Sequence, residues 1–264
     1  MESRHMENQT VIQSSTQYDK FIPMDTNRDI YNLKKLIKSM QKHGWLVTNP
    51  MHVIRRDDGK YIIKQGHNRF VAATRLKIPV LFVEGKDVPL VDLEDTGHGH
   101  WSITDFFTSY CRAGNPEYLK VKKYIDKTGI PISSACGIMA NFYQGSTYIN
   151  QKMKDGTYKT APENELAEKV AEVVILMRDL KILHATSSAF LKALCMSIAV
   201  PEFDIGIFLK KIKRHKDKLE PQASLKRYLE SIESLYNYHE SIKIPLSFKA
   251  ITLATNKNKS KRKK

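Results

Sequence analysis

A chain of 264 residues with a net charge of +15 and 41% hydrophobic residues is long enough for two modest domains with packed cores. With a pI near 9.6 it points toward a polyanionic partner, either nucleic acid or an anionic membrane surface. Two classes are excluded: no apolar run approaches the ~20 residues of a bilayer crossing, and Cys111, Cys136 and Cys195 stand far apart in apolar helical contexts that read as reduced core positions rather than a disulfide or zinc framework.

The opening MESRHMENQTVIQSSTQ is polar and patternless, with no charged stretch followed by an apolar one, so residues 1–19 are expected to be a disordered segment. The protein is therefore expected in the cytoplasm. Ile30, Leu33, Ile37 and Met40 follow helical spacing, with Asn32, Lys34, Lys35 and Lys38 opposite and Gly44 as the stop. The period then changes. Met51 to Arg56 and Lys60 to Lys64 are β-rich runs joined across Asp57, Asp58 and Gly59, a hairpin signal. A Gly66 turn leads into a helix buried through Phe70, Ala73 and Leu76, and Pro79 to Val83 reads as an interior strand.

The stretch Lys60 to Leu76, KYIIKQGHNRFVAATRL, is the most informative in the chain. A glycine between strand and helix lets a ligand approach the backbone, and the amides and positive dipole end of the helix behind it favour an anion. His67, Asn68 and Arg69 open that helix. Each also has a plain structural reading: Gly66 as a turn residue, Arg69 as a surface ion-pair partner, His67 and Asn68 as caps.

The order helix, hairpin, GxxR turn, helix, strand resembles the N-terminal domain of the ParB/sulfiredoxin superfamily over residues 20–95. NRDIYNLKKLIKSMQKHGW is similar to the family's first helix and glycine stop, TNPMHVI to its proline-led strand, and GHNRFVAATRL to its phosphate-binding box. ParB proteins typically carry Gly-Glu-Arg-Arg there and bind a nucleoside triphosphate, whereas sulfiredoxins carry a cysteine before His-Arg. His67 stands at the cysteine position, so sulfiredoxin chemistry is not supported. The ParB glutamate is absent and Asn68 replaces its first arginine. The resemblance thus implies a nucleotide or phosphate site of Gly66, His67, Asn68 and Arg69, with Thr48 and Asn49 as a second contacting segment. CTP or ATP is the implied ligand, with Mg²⁺ admissible; hydrolysis is left open and no catalytic residue is assigned.

After TGHGH at 96–100, a glycine-rich hinge, the chain turns helical. Ser102 and Asp105 form a capping box for a helix over Ile103 to Arg112, with Trp101 stapled onto Phe106. Pro116 to Lys127 is expected to turn Leu119, Val121 and Ile125 inward and Lys120, Lys122, Lys123 and Lys127 outward, and Gly129 ends it. Ile132 to Phe142 follows. Helix, glycine turn, helix over 101–142 is a candidate helix-turn-helix, placed as in ParB proteins after the GxxR domain. In it the four lysines would contact DNA phosphates, and Ser133 and Ser134 would face the groove. A simple helical hairpin is the equal alternative. His98 and His100 invite a metal reading, but no further ligands accompany them, so no metal site is expected.

Tyr143 to Tyr158 reads as a loop or small hairpin around Asp155 and Gly156, and Thr160 with Glu163 as a capping box for a helix buried through Leu166, Val170, Val173, Val174 and Met177. Further helices are expected over Ser188 to Ala199, Asp204 to Lys216 and Ser224 to Tyr238, completing a C-terminal helical region over 143–250. Lys210, Lys211, Lys213, Arg214, Lys216 and Lys218 crowd one of them, and a basic tail over 251–264 ends in NKNKSKRKK. No exposed apolar helix is expected beside that tail, which favours nucleic acid over a membrane surface.

The expected fold class is α+β: a small mixed α/β domain of the ParB/sulfiredoxin kind followed by an all-α region. The expected function is that of a ParB-like protein that binds DNA and a nucleotide, in partition or regulation on a plasmid, phage or other mobile element, with a homodimer admissible and no membrane partner. The alternative is an enzyme using the same box, a nucleoside triphosphatase, phosphotransferase or nuclease.

Overall fold

The structure, a computed structural model, describes residues 11–24, 33–87, 101–141 and 146–261. Ile30, Asn32, the hinge at 96–100 with His98 and His100, Phe142, Tyr143 and the last three residues lie outside this set. The fold is α+β, and the chain divides into two compact units, 1–113 and 114–264. The expected boundary near 95–100 therefore moves: the helix over 103–112 belongs with the first unit.

In the first unit, strands β1 (Gln13–Ser15), β2 (Phe21–Pro23), β3 (Met51–Arg55), β4 (Tyr61–Gln65) and β5 (Val80–Glu84) form a mixed sheet ordered β1-β5-β3-β4-β2. β3 and β4 are the expected hairpin, and Gly59 takes φ 77° in its turn. Helices α1 (Leu33–His43) and α2 (His67–Leu76) pack together, and Met40 and Phe70 join Phe21, Met51, Val53, Ile63, Val80 and Phe82 in one apolar core. Gly44 at φ 68° stops α1 as its position suggests. α3 (Ile103–Arg112) carries the reciprocal Ser102–Asp105 capping box, and the Trp101 and Phe106 rings lie 5.1 Å apart.

The expected disorder of residues 1–19 is corrected for the described part. Gln13–Ser15 pairs antiparallel with β5, and Phe21–Pro23 pairs parallel with β4. These are three-residue edge strands, too short to show an alternation, and β1 contributes no apolar residue.

The second unit is all helical: α4 (Pro116–Thr128), α5 (Ile132–Met139), α6 (Ser146–Lys154), α7 (Glu165–Asp179), α8 (Ser188–Ile198), α9 (Ile205–Arg214), α10 (Leu225–Tyr236) and α11 (Leu246–Lys261). Gly129 ends α4 at φ 71°. Tyr118 takes the inward place expected of Leu119, which is exposed; the Tyr118 hydroxyl donates to the Met153 carbonyl at 2.9 Å and its ring meets Tyr158 edge-on. The expected loop at 143–158 instead contains α6, whose Ile149 and Met153 are buried. α11 runs through the expected basic tail as far as Lys261, and beside it Phe248, Ile251 and Ile242 are 70%, 43% and 82% exposed. Exposed apolar side chains therefore do adjoin the tail.

Thr160 does not cap α7. Its hydroxyl and amide donate to the Glu117 carboxylate at 2.6 and 2.7 Å, and α7 begins later, at Glu165. A carboxylate that accepts three donors, including Lys120 at 2.6 Å, outcompetes a local helix start. Lys120 and then Thr160 hold the Glu117 carboxyl down at about 2. Its unfolded value is 4.5, so the stabilisation is present above that pH and disappears as pH falls toward 2. Glu117→Gln is therefore expected to unfold at lower urea than the wild type at pH 7, the gap closing by about pH 2; a gap independent of pH sinks this account.

Candidate phosphate site and basic surfaces

The site begins with a glycine the chain cannot easily replace. Gly66 stands immediately before α2 at φ 98°, and a Cβ there would lie 3.1 Å from Met51 Cγ and 3.3 Å from Met51 Cα. Conformation and packing both demand glycine. No N-cap side chain covers the start of α2, and no acidic residue lies in its first turn. The dipole end that favours an anion is thus left without a built-in one.

Arg69 brings the second expected segment to this turn. Its Nη1 donates to the carbonyl of Asn49 and, at 3.2 Å, to that of Pro50. Trp45 Nε1 donates to the same Asn49 carbonyl at 2.8 Å, and the Asn49 amide closes a turn onto Leu46 at 3.0 Å. Gly66, His67, Asn68, Arg69 and Asn49 are therefore neighbours, with Thr48 exposed at the rim. Arg69 is not a surface ion-pair partner. Burial lowers its pKa, its Nε and Nη2 have no partner among the described residues, and no described carboxylate pairs with it. The Asn68 Oδ1 atom, in the same helical turn, is buried without a hydrogen-bond partner.

Three further polar residues escaped the sequence reading. The β3–β4 register shifts between His52 and Val53, which pair with Gln65 and Ile63, so Lys64 is the extra residue of a bulge two positions before Gly66. Lys64 Nζ binds Asp87 Oδ1 at 2.6 Å, with the Lys64 side chain only 11% exposed. Asp87 lies beyond β5, 23 positions from Lys64 in the chain. His52 packs so closely on Gly85 that a Cβ there would lie 2.1 Å from its Nε2. Burial first, then the Lys64 cation, lowers the His52 pKa, while Asp87 opposes them. A pairing across a bulge has no fixed sequence spacing, and only the polar residues at positions 52 and 64 within the strands hinted at it.

The candidate DNA-binding residues divide. Lys120, Lys122, Lys123 and Lys127 are all exposed on α4, but Lys120 pairs with Glu117 and Lys122 with Asp126 at 2.8 Å, whereas Lys123 and Lys127 have no ion pair among the described residues. α5 departs further from expectation. Ala135, Cys136, Gly137 and Ile138 are buried in succession, and the helix packs against α4, α6, α7 and α8. The middle of the helix is thus core, and only its first turn can meet a groove. Ser133 is exposed and Ser134 half-buried at its first turn.

Among the described residues no group of three His, Cys, Asp or Glu is placed to share a metal ion, and no helix is long and apolar enough to cross a membrane. No protein-family model matches the chain, and no curated protein matches it.

Gly66→Ala is expected to lower stability by about 1–2 kcal/mol through its left-handed φ and the Met51 contact. Urea unfolding measures it, and a loss below about 0.5 kcal/mol would show that the junction relaxes freely.

Proposed function

We propose that this chain is a ParB-like protein that binds a nucleotide through the Gly66–Arg69 box and DNA through its basic helical unit. The observation that carries the first half is the start of α2: a left-handed Gly66, no side-chain cap, no acidic first turn, and a carbonyl-anchored arginine with donors to spare. A phosphate there would accept from helix amides and from Arg69 Nε or Nη2. Asn68 Oδ1 favours a nucleotide over free phosphate, since a sugar hydroxyl or base amine supplies the donor that a fully ionised phosphate lacks. The second half is supported by the net charge of +15 and by exposed cations on α4 and α9.

Binding rather than turnover is the proposed role of the box. The family's glutamate and first arginine are missing from Gly66 to Arg69, and His52 and Lys64 are occupied with Gly85 and Asp87. Partition or regulation on a mobile element is the setting that the resemblance suggests.

Calorimetry with CTP, ATP and GTP, each with and without Mg²⁺ and duplex DNA, tests the proposal. One triphosphate is expected to bind wild type, and Arg69→Lys, which keeps the charge but loses the planar fork, is expected to weaken it at least tenfold. No binding in any combination defeats the nucleotide half, and steady phosphate release would move the reading to a hydrolase.

A further inference from the structure

The C-terminal end of α9 meets the chain just beyond α10 in a cluster that the α4 and α5 expectations did not include. Tyr238 is at its centre. The His215 ring lies edge-on to it with centroids 4.8 Å apart, the His239 ring lies 4.0 Å from it, and Lys218 Nζ sits 4.3 Å over its face. His215 and His239 are themselves 6.0 Å apart. Lys211 pins this segment to the helix by donating to the Tyr238 carbonyl and pairing with Glu240 at 2.7 Å.

Charge is the unusual part. Lys211 and Arg214 lie one turn apart at the end of α9, His215 and Lys218 follow just beyond it, and His239 faces His215 from the other segment. Glu240 is engaged by Lys211, while Arg214 and Lys218 have no ion pair among the described residues. His239 holds φ 59°, a left-handed conformation that a histidine adopts at a cost. Among the described residues no carboxylate pairs with the cations of Arg214 and Lys218.

We propose that Arg214, His215, Lys218 and His239 form a phosphodiester-binding site for nucleic acid. This rests on the nucleic-acid half of the proposed function and locates it on α9 rather than on α5. An incoming phosphate would accept from the Arg214 and Lys218 cations and from the two imidazoles. A lipid headgroup offers similar chemistry, but surface helices that enter a bilayer bring several large apolar side chains. Here the Tyr238, His215 and His239 rings are packed on one another.

The site also couples binding to protons. Burial first, then His239, Lys211, Lys218 and Arg214, depress the His215 pKa; the carboxylates nearest in the chain are Asp217 and, on the facing segment, Glu240, which is paired with Lys211. An anion seated among these cations reverses that repulsion and draws a proton onto the imidazole. Affinity therefore rises as pH falls.

The test is fluorescence anisotropy of a labelled duplex with the full chain across a salt series, at pH 8 and pH 6. Arg214→Gln/Lys218→Gln is expected to weaken binding about tenfold and to flatten the log–log salt slope by about one. His215→Gln/His239→Gln is expected to remove the gain in affinity from pH 8 to pH 6. Circular dichroism and urea midpoints confirm that both variants fold. If wild type binds DNA but neither pair of substitutions changes affinity, slope or pH dependence, the cluster is not the contact and the general DNA reading stands. If wild type binds no DNA, or prefers vesicles of anionic over zwitterionic lipid at equal salt, both readings fall.

Discussion

The Arg69 guanidinium, lodged against the carbonyls of Asn49 and Pro50, is the contact on which the first unit's candidate site depends. It joins the loop after α1 to the start of α2, while Gly66 lets the same turn close onto Met51 at the beginning of β3. Both contacts act on one short stretch of chain, so the loop, the strand and the helix start move together. The cation has carbonyl dipoles but no described carboxylate to balance it. A half-buried positive charge compensated only by dipoles raises the attraction for an external anion, because water screens it poorly. The same bond that builds the turn therefore also biases what can sit beside it.

The β4 bulge extends this logic to the sheet. Alternation along β3 and β4 places Met51, Val53 and Ile63 in the core and would leave His52, Ile54 and Ile62 on the other face. The extra residue Lys64 breaks the ladder just before Gly66, and Asp87 beyond β5 compensates its ammonium. Breaking that pair from the Asp87 side would leave a nearly buried cation beside His52, further disfavouring protonation of the imidazole. Lys64 and Asp87 are thus more economically read as the closure of the bulge than as chemistry.

Local rules were legible in the sequence where the competing partner was also local. The Ser102–Asp105 box, the Asp-Gly hairpin and the glycine stops at 44 and 129 are satisfied within a few residues, and each appears where its pattern suggests. The Thr160–Glu163 box matches the same pattern and fails, because Glu117, 43 positions away, offers Thr160 a charged acceptor. β1 escaped because edge pairing uses backbone groups that any sequence carries. Spacing likewise gave the extent of α5 to within a few residues but not its surroundings: Ala135 to Ile138 are small or apolar, and only packing by four other helices shows that no side of them reaches solvent. The GxxR turn was legible because glycine conformation and helix dipole are local. The acceptors of Arg69 were not.

The basic surfaces differ in what their charges already do. On α4, Lys120 and Lys122 lie one helical turn from Glu117 and Asp126 and are partly neutralised in place. At the end of α9, Lys213, Arg214, Lys216 and Lys218 have no such partners among the described residues, although a helix C-terminus favours positive charge. Like charges held this close repel, and the repulsion weakens as salt is added. The unpaired α9 cations therefore cost stability in the free protein, and any polyanion that binds them both relieves the repulsion and stabilises the fold that presents them. On this argument charge count alone is a poor guide to the contact surface; the cations left without carboxylates are the better one, and Lys218 among them lies over the Tyr238 ring.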